Sequence, residues 1–225
     1  MRSIAIDGPS GAGKTTVAKA LAERMGYYYV DTGAIYRSVG LYVSRRGSCD
    51  DVELVESCLP DIKVDLEYGD DGLQHMILNG EDVTAAIRNN EVSAYASTVS
   101  AIPAVRDCLL DMQRELAKEH NVIMDGRDIG TVVLPDADVK IYLTASVEVR
   151  AKRRWKELQE KGDTTPLETV MEQIAQRDYA DMNREVAPLR QAEDAVVVDT
   201  SELNLEESID AVYQVIREKL GEEQA

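Results

Sequence analysis

The segment Gly8 to Thr16, GPSGAGKTT, fits the spacing G-x-x-x-x-G-K-[ST], with Gly8, Gly13, Lys14 and Thr15 at the fixed positions. A loop of this spacing turns successive backbone N–H groups toward an anionic phosphate chain. Lys14 is placed to reach the outer phosphates, and the Thr15 hydroxyl is an oxygen ligand for Mg²⁺. Three more clusters carry chemistry. In Asp31-Thr32-Gly33-Ala34-Ile35-Tyr36-Arg37, Arg37 falls about one turn into a helix. It reads either as a clamp on a second phosphate or as a solvated helix arginine. In Asp125-Gly126-Arg127-Asp128-Ile129-Gly130, Asp125 at a strand end can orient Mg²⁺ or its waters. Arg127 offers a planar fork for phosphate oxygens, and Asp128 adds an acceptor. Gly126 and Gly130 would let the backbone approach a ligand. Arg177, Asp181 and Arg184, at i, i+4 and i+7, share one helix face. On spacing alone these three read as intrahelical ion pairs, worth about 0.2–0.5 kcal/mol each.

The elements that must position these groups alternate between strand and helix. Ser3–Asp7 is a short apolar run bounded by glycine, which predicts a buried strand leading into the loop. Val17, Ala18, Leu21, Ala22 and Met25 fall on one face of the helix that follows, and Gly26 is its stop. Four further strands are expected at Tyr27–Val30, Val122–Met124, Val139–Leu143 and Ala195–Val198. Strands separated by helical patterns predict an α/β fold, a five-stranded parallel sheet flanked by helices. Ligands bind such sheets beyond the carboxyl ends of the strands, which singles out Asp7, Asp31 and Asp125.

Two regions break the alternation. Over roughly 60–88, Ile62–Leu66 and Gln74–Leu78 alternate in polarity around turns at Gly69–Gly72 and Asn79–Gly80, predicting a small antiparallel insertion. His75 within it reads as a solvated strand histidine. Over roughly 146–165, Arg150, Lys152, Arg153, Arg154, Lys156 and Lys161 crowd a basic helix that ends in a Lys161-Gly162-Asp163 turn. Such a run is ordinarily a solvated face, but a basic helix and a returning one could form a lid. Thr165, Pro166 and Glu168 predict the start of the returning helix, with Thr165 as N-cap, running toward Ala187 and Pro188. Asn204 is expected to cap a final helix.

The 225 residues carry a net charge of −17, so nucleic acid and anionic membranes are poor partners. An acidic chain that handles anions must concentrate its positive charge locally. Three widely spaced cysteines and two histidines make neither a disulfide framework nor a zinc site, and with no signal peptide a cytoplasmic location is expected. A single domain is expected at this length.

Together the motifs resemble the bacterial-type cytidylate kinases, a branch of the P-loop nucleoside monophosphate kinases, over about Ile4 to Lys219. The resemblance rests on IDGPSGAGK, on DTGAIYR at Asp31–Arg37, and on DGRDIGTVV at Asp125–Val133. It rests also on PDA at Pro135–Ala137 and on the RD…D…NR…APL pattern ending at Leu189. It implies ATP + (d)CMP ⇌ ADP + (d)CDP with Mg²⁺, in a monomer built of a core, a monophosphate-binding region at about 32–120, the insertion and the lid. It assigns the ATP phosphates to Gly8, Pro9, Ser10, Gly11, Ala12, Gly13, Lys14, Thr15 and Thr16, with Arg177, Arg153 and Arg154 facing the donor. Thr15 and Asp125 would hold the metal. Arg37, Arg127 and Arg184 would hold the acceptor phosphate, with Thr32 alongside. Ser97, Arg106 and Asp128 would touch cytosine, and Asp181 the ribose. Lys14, Arg127, Arg184 and Arg177 would then carry the catalysis.

The chemistry of the base is consistent with that set. Cytosine offers an amino donor beside two acceptors, and Asp128 with Arg106 and Ser97 offers the complement. Rival readings are a P-loop kinase for shikimate or dephospho-coenzyme A and a GTP-binding switch. The N-K-x-D and D-x-x-G strings of the switch proteins do not occur in the chain.

Overall fold

The computed structural model describes residues 1–69 and 74–221, and it divides into two compact units, Met1–Val30 with Leu116–Ala225, and Asp31–Glu115. The first is built on a five-stranded parallel sheet of β1 (Ser3–Asp7), β2 (Tyr28–Asp31), β6 (Val122–Gly126), β7 (Val139–Thr144) and β8 (Val196–Asp199). The strand order is β2-β6-β1-β7-β8. β1 pairs in parallel with β6 on one side and β7 on the other, with Asp7 opposite Gly126 and Tyr142. The chain order reverses about β1, so the crevice of this sheet opens at the end of β1, where the phosphate loop begins. All five strands expected from the sequence are present, within one or two residues of their expected ends.

Helices α1 (Lys14–Met25) and α8 (Leu205–Lys219) supply Val17, Leu21, Val212 and Ile216 to a core shared with Ile4, Ile6, Ile123, Ile141 and Leu143 of the strands. Each such side chain contributes about 1.5–3 kcal/mol by leaving water. Gly26, at φ 65°, ends α1 as expected, and Asn204 with Glu207 forms a full capping box on α8. Helices α6 (Val147–Glu160) and α7 (Leu167–Asn183) form a hairpin with a small core of Ala151, Leu158, Val170 and Ile174.

Two details of α7 differ from expectation. Thr165 does not cap it: its hydroxyl and N–H both go to Asp163 Oδ1, at 2.6 and 2.8 Å, and the helix begins at Leu167. The aspartate two residues earlier outcompetes the helix for the threonine. At the other end α7 stops at Asn183, not near Ala187. Arg184 takes an extended backbone, Leu189 N–H donates to Asp181 O at 2.8 Å, and Ala187 is held at φ 48°. A left-handed alanine costs about 1–2 kcal/mol, which the Arg184 Nε bond to Ala187 O at 2.7 Å helps to offset.

The second unit packs α2 (Thr32–Ser44) against α4 (Asn90–Val99), with α3 (Val52–Cys58) beside them. A Cβ on Gly40 of α2 would lie 2.8 Å from Tyr95 Cβ of α4, so the two helices meet where glycine permits. The insertion is the antiparallel sheet β3 (Val64–Tyr68), β4 (Gln74–Leu78) and β5 (Glu81–Asp82), in that order. Asn79 and Gly80, at φ 50° and 82°, make the two-residue turn that joins β4 to β5. Of the turn expected over Gly69–Gly72, residues 70–72 lie outside the described residues. His75 pairs with Asp82 at 2.9 Å within this sheet. Helix α5 (Pro103–Glu119) leads the chain back to β6.

Candidate active site

In the first unit the phosphate loop leaves β1 under tight steric terms. A Cβ on Gly8, at φ 150°, would sit 2.0 Å from the Leu143 carbonyl oxygen, and Gly13 at φ 87° turns the chain into α1. Lys14 opens that helix and is buried, its Nζ donating to Pro9 O at 2.8 Å across the loop. Burial, reinforced by the Arg127 charge, pushes the ammonium down to about 7. A phosphate chain brought to this loop supplies the negative charge that such an ammonium lacks.

Beside the loop, Asp125 at the end of β6 accepts from Thr15 Oγ1 at 3.0 Å and from the Tyr29 hydroxyl at 2.8 Å. Each carboxylate oxygen is thus oriented by one hydroxyl. Tyr29 was read only as a strand residue, and a hydroxyl 96 positions away in sequence leaves no local signal for this role.

The segment after β6 folds into a single wide turn of π type at Ile129–Val133. Asp7, at the end of β1, accepts the N–H of Ile129 at 2.8 Å and of Gly130 at 2.7 Å. Burial raises the Asp7 carboxyl to about 6 against the pull of those two bonds. The sequence context offered Gly130 as a place where the backbone lets a ligand approach; in the structure its Cβ direction is taken by protein side chains. A Cβ there would lie 3.1 Å from Lys140 Cδ and 3.4 Å from Asp7 Oδ2, so the protein itself fills that approach.

Two arginine–aspartate pairs stand at the ends of β6 and α7. Arg127 Nε meets Asp181 Oδ2 at 2.8 Å, and Arg184 Nη2 meets Asp128 Oδ1 at 3.2 Å. Burial pushes the Asp181 carboxyl up, but the charges of Arg127, Arg177 and Arg184 outweigh it and hold the group below its ordinary value. Arg127 is likewise disfavoured by burial, yet Asp181, Asp125 and Asp178 keep it firmly protonated. The intrahelical reading of Arg177, Asp181 and Arg184 is therefore only part of this cluster: the Arg177 and Arg184 charges do act on Asp181, but Asp181 and Arg184 also reach Arg127 and Asp128, just beyond β6. On α6, Arg153 lies beside the loop and donates to Thr200 O at 2.7 Å. Arg154 forms an exposed pair with Glu157 at 2.9 Å.

In the second unit, Asp31 caps α2 by accepting the Ala34 N–H at 2.8 Å and pairs with Arg37 at 2.9 Å. Thr32 is buried at the first helical position. Arg106 on α5 is buried, donates to Ser100 O at 3.1 Å and lies over the Tyr36 ring at 5.4 Å. Ser97 O accepts from Ser100 Oγ at 3.0 Å, so Ser97 and Arg106 both bond Ser100, the residue that ends α4.

A family model described as cytidylate kinase matches residues 4–218. The chain belongs to the cytidylate kinase family. It is 49% identical over 222 residues to a cytidylate kinase of Caldicellulosiruptor saccharolyticus, covering 98% of each chain. It is 51% identical to a cytidylate kinase of Caldicellulosiruptor bescii, with 97% of this chain and 98% of that one covered. Among solved structures, an uncharacterized protein from Eubacterium ventriosum shares the fold at a TM-score of 0.51 and 12% identity, over 96% of this chain and 98% of that one. Within the described residues no helix is long and apolar enough to cross a membrane.

Proposed function

We propose that this family member transfers the γ-phosphate of ATP to CMP or dCMP, releasing ADP and CDP or dCDP, as a cytoplasmic monomer in pyrimidine nucleotide metabolism. The observation that carries the reading is the gathering of Lys14, Arg127 and Arg184 around the carboxylates of Asp125, Asp128 and Asp181, at the ends of β6 and α7 beside a phosphate loop. Phosphoryl transfer between two polyanions needs alignment and charge neutralisation more than a strong base.

Gly8 to Thr16 would hold the triphosphate through backbone N–H groups, with Lys14 exchanging Pro9 O for phosphate oxygen. Arg177 and Arg153 would face the donor. Arg154, engaged with Glu157, would have to leave that partner to join them. Following the family resemblance, Arg127, Arg184, Arg37 and Thr32 are proposed for the acceptor monophosphate. Asp181 is assigned to its ribose, and Asp128, Ser97 and Arg106 to cytosine.

The residues also fit Mg²⁺. Thr15 and Asp125 are hard oxygen donors 3.0 Å apart. That combination suits an ion held by one carboxylate, one hydroxyl, waters and substrate phosphates. When bound, Mg²⁺ would neutralise charge developing on the phosphates.

The deciding experiment is an acceptor screen. ADP release would be followed with CMP, dCMP, UMP, AMP and shikimate at equal concentration. CMP or dCMP should turn over fastest by at least about tenfold. Preference for AMP or shikimate would overturn the reading.

A further inference from the structure

One buried ion pair outside the groups assigned above touches the phosphate loop. Arg150 of α6 and Asp178 of α7 meet at 2.5 Å, with side chains only 5% and 10% exposed. Both then bind the same loop residue. Asp178 Oδ1 accepts the Ser10 N–H at 3.0 Å, and Arg150 Nη1 donates to Ser10 O at 2.8 Å. Arg150 is itself anchored by Nε to Ala145 O at 2.8 Å, at the end of β7. Next along the loop, a Cβ on Gly11 would meet Arg150 Cβ at 3.3 Å and Ile174 Cδ1 at 3.6 Å. The α6–α7 hairpin therefore packs directly on the loop at two consecutive residues.

We propose that Arg150 and Asp178 are positioning residues for the donor: they fix the Ser10 peptide groups so that the loop is already shaped for a triphosphate. Such a loop depends on several N–H groups pointing inward together, and two unrestrained peptides would let it collapse onto its own carbonyls. An ion pair that reads both the N–H and the C=O of one residue removes that freedom. Burying two charges is costly, and a hydrophobic pair would hold two helices together as well. Hydrophobic side chains, however, could not hydrogen-bond Ser10. The pair thus supplies loop geometry that packing alone would not. It also makes the α6–α7 hairpin part of the donor site and not only a cover for it.

The inference rests on the kinase reading, so the wild-type protein is the first arm of the test. ATP-dependent phosphorylation of CMP, and ADP binding by calorimetry, must both be present; their absence fails that reading and not this one. Removing one partner would leave a buried charge and could unfold the chain. The informative variant is the double replacement Arg150→Met with Asp178→Leu, which leaves neither charge exposed to apolar surroundings. Cooperative thermal unfolding would be checked first. The KM for ATP and the Kd for ADP should rise about tenfold. The KM for CMP should stay within about twofold, although Asp181 and Arg184 lie on or next to the same helix. Unchanged donor constants in the folded double variant would overturn the proposal. So would equal rises in both KM values, which would mark the pair as scaffolding only. Should the double variant fail to unfold cooperatively, Arg150→Lys, which keeps the charge and loses the two-sided fork, must show the same donor-only weakening, or the proposal is overturned.

Discussion

Asp7 and Gly130 are joined by a 2.7 Å bond from the glycine N–H to a carboxylate buried at the end of β1. The same carboxylate takes the Ile129 N–H at 2.8 Å. The strand that delivers the phosphate loop therefore also sets the turn that follows Arg127 and Asp128. A shift of that turn would move both side chains relative to Lys14, because all of them depend on the same short strand end.

Asp7 gives stability a pH dependence of known sign. Its folded value is about 6 against 3.8 for a free carboxyl, because burial disfavours the charge. The folded state binds the proton more tightly between those values, so the contribution of Asp7 is fully favourable below 3.8 and is lost as pH rises through about 6. Asp7→Asn has no such dependence. The stability of wild type relative to Asp7→Asn should thus improve by on the order of 3 kcal/mol as pH falls from 7 to about 4, read by denaturant titration. A difference that stays flat with pH would show that burial does not perturb this carboxyl.

Lys14 is a second buried ionisable group, and on the kinase reading its function is held against stability. Its ammonium is buried, depressed by that burial and by Arg127, and bonded to a single loop carbonyl. Lys14→Met should keep the fold and melt at or above the wild-type temperature, with a gain on the order of 1 kcal/mol. Turnover should fall by about 10² to 10³, as when one preorganised group stabilising transition-state charge is removed. Loss of the fold, or turnover within a few-fold of wild type, would contradict the role given to this side chain.

What the sequence made legible follows the range of the forces involved. The five strands and α1 were readable because apolar runs and a stop at Gly26 are local facts. The insertion was readable from alternation and the Asn79–Gly80 turn. The π-type turn at Ile129–Val133 was not, because Asp7, 122 residues away, holds its first N–H groups. The end of α7 was misplaced for a like reason. Arg184 leaves the helix to reach Asp128, 56 positions distant, and no spacing rule sees that partner. Arg150 was legible only as part of the basic run over 146–165, and Asp178 only within the RD…D…NR pattern, since only the folded chain brings Ser10 between them.

Asp125 is oriented by the hydroxyls of Thr15 and Tyr29. If it helps to hold Mg²⁺, chelation should abolish turnover and added Mg²⁺ should restore it. Tyr29→Phe removes one hydroxyl and leaves the ring packing. The concentration of Mg²⁺ giving half-maximal rate should then rise about tenfold, in the range usual for groups that orient a metal ligand. Paramagnetic Mn²⁺ would report the same weakening without turnover, in the complex with ADP. A hydroxyl that served packing alone would shift the melting temperature and leave both metal measurements where they were.

Base selectivity tests Asp128. Uracil carries a carbonyl oxygen where cytosine carries an amino group, so UMP would face the Asp128 carboxylate with one acceptor against another. Leaving such groups unpaired costs about 1–3 kcal/mol each, and kcat/KM for CMP should exceed that for UMP by roughly 10- to 100-fold. Asp128→Asn can turn an N–H toward the uracil oxygen, and the ratio should shrink to within about threefold, mainly through loss of CMP turnover. Because Asp128 also pairs with Arg184, both rates will fall somewhat. The ratio isolates the base contact from that shared loss, since the acceptor phosphate is the same in both nucleotides. A ratio unchanged by Asp128→Asn would move the reading of cytosine to Arg106 and Ser97 and leave Asp128 with a structural role that includes pairing with Arg184.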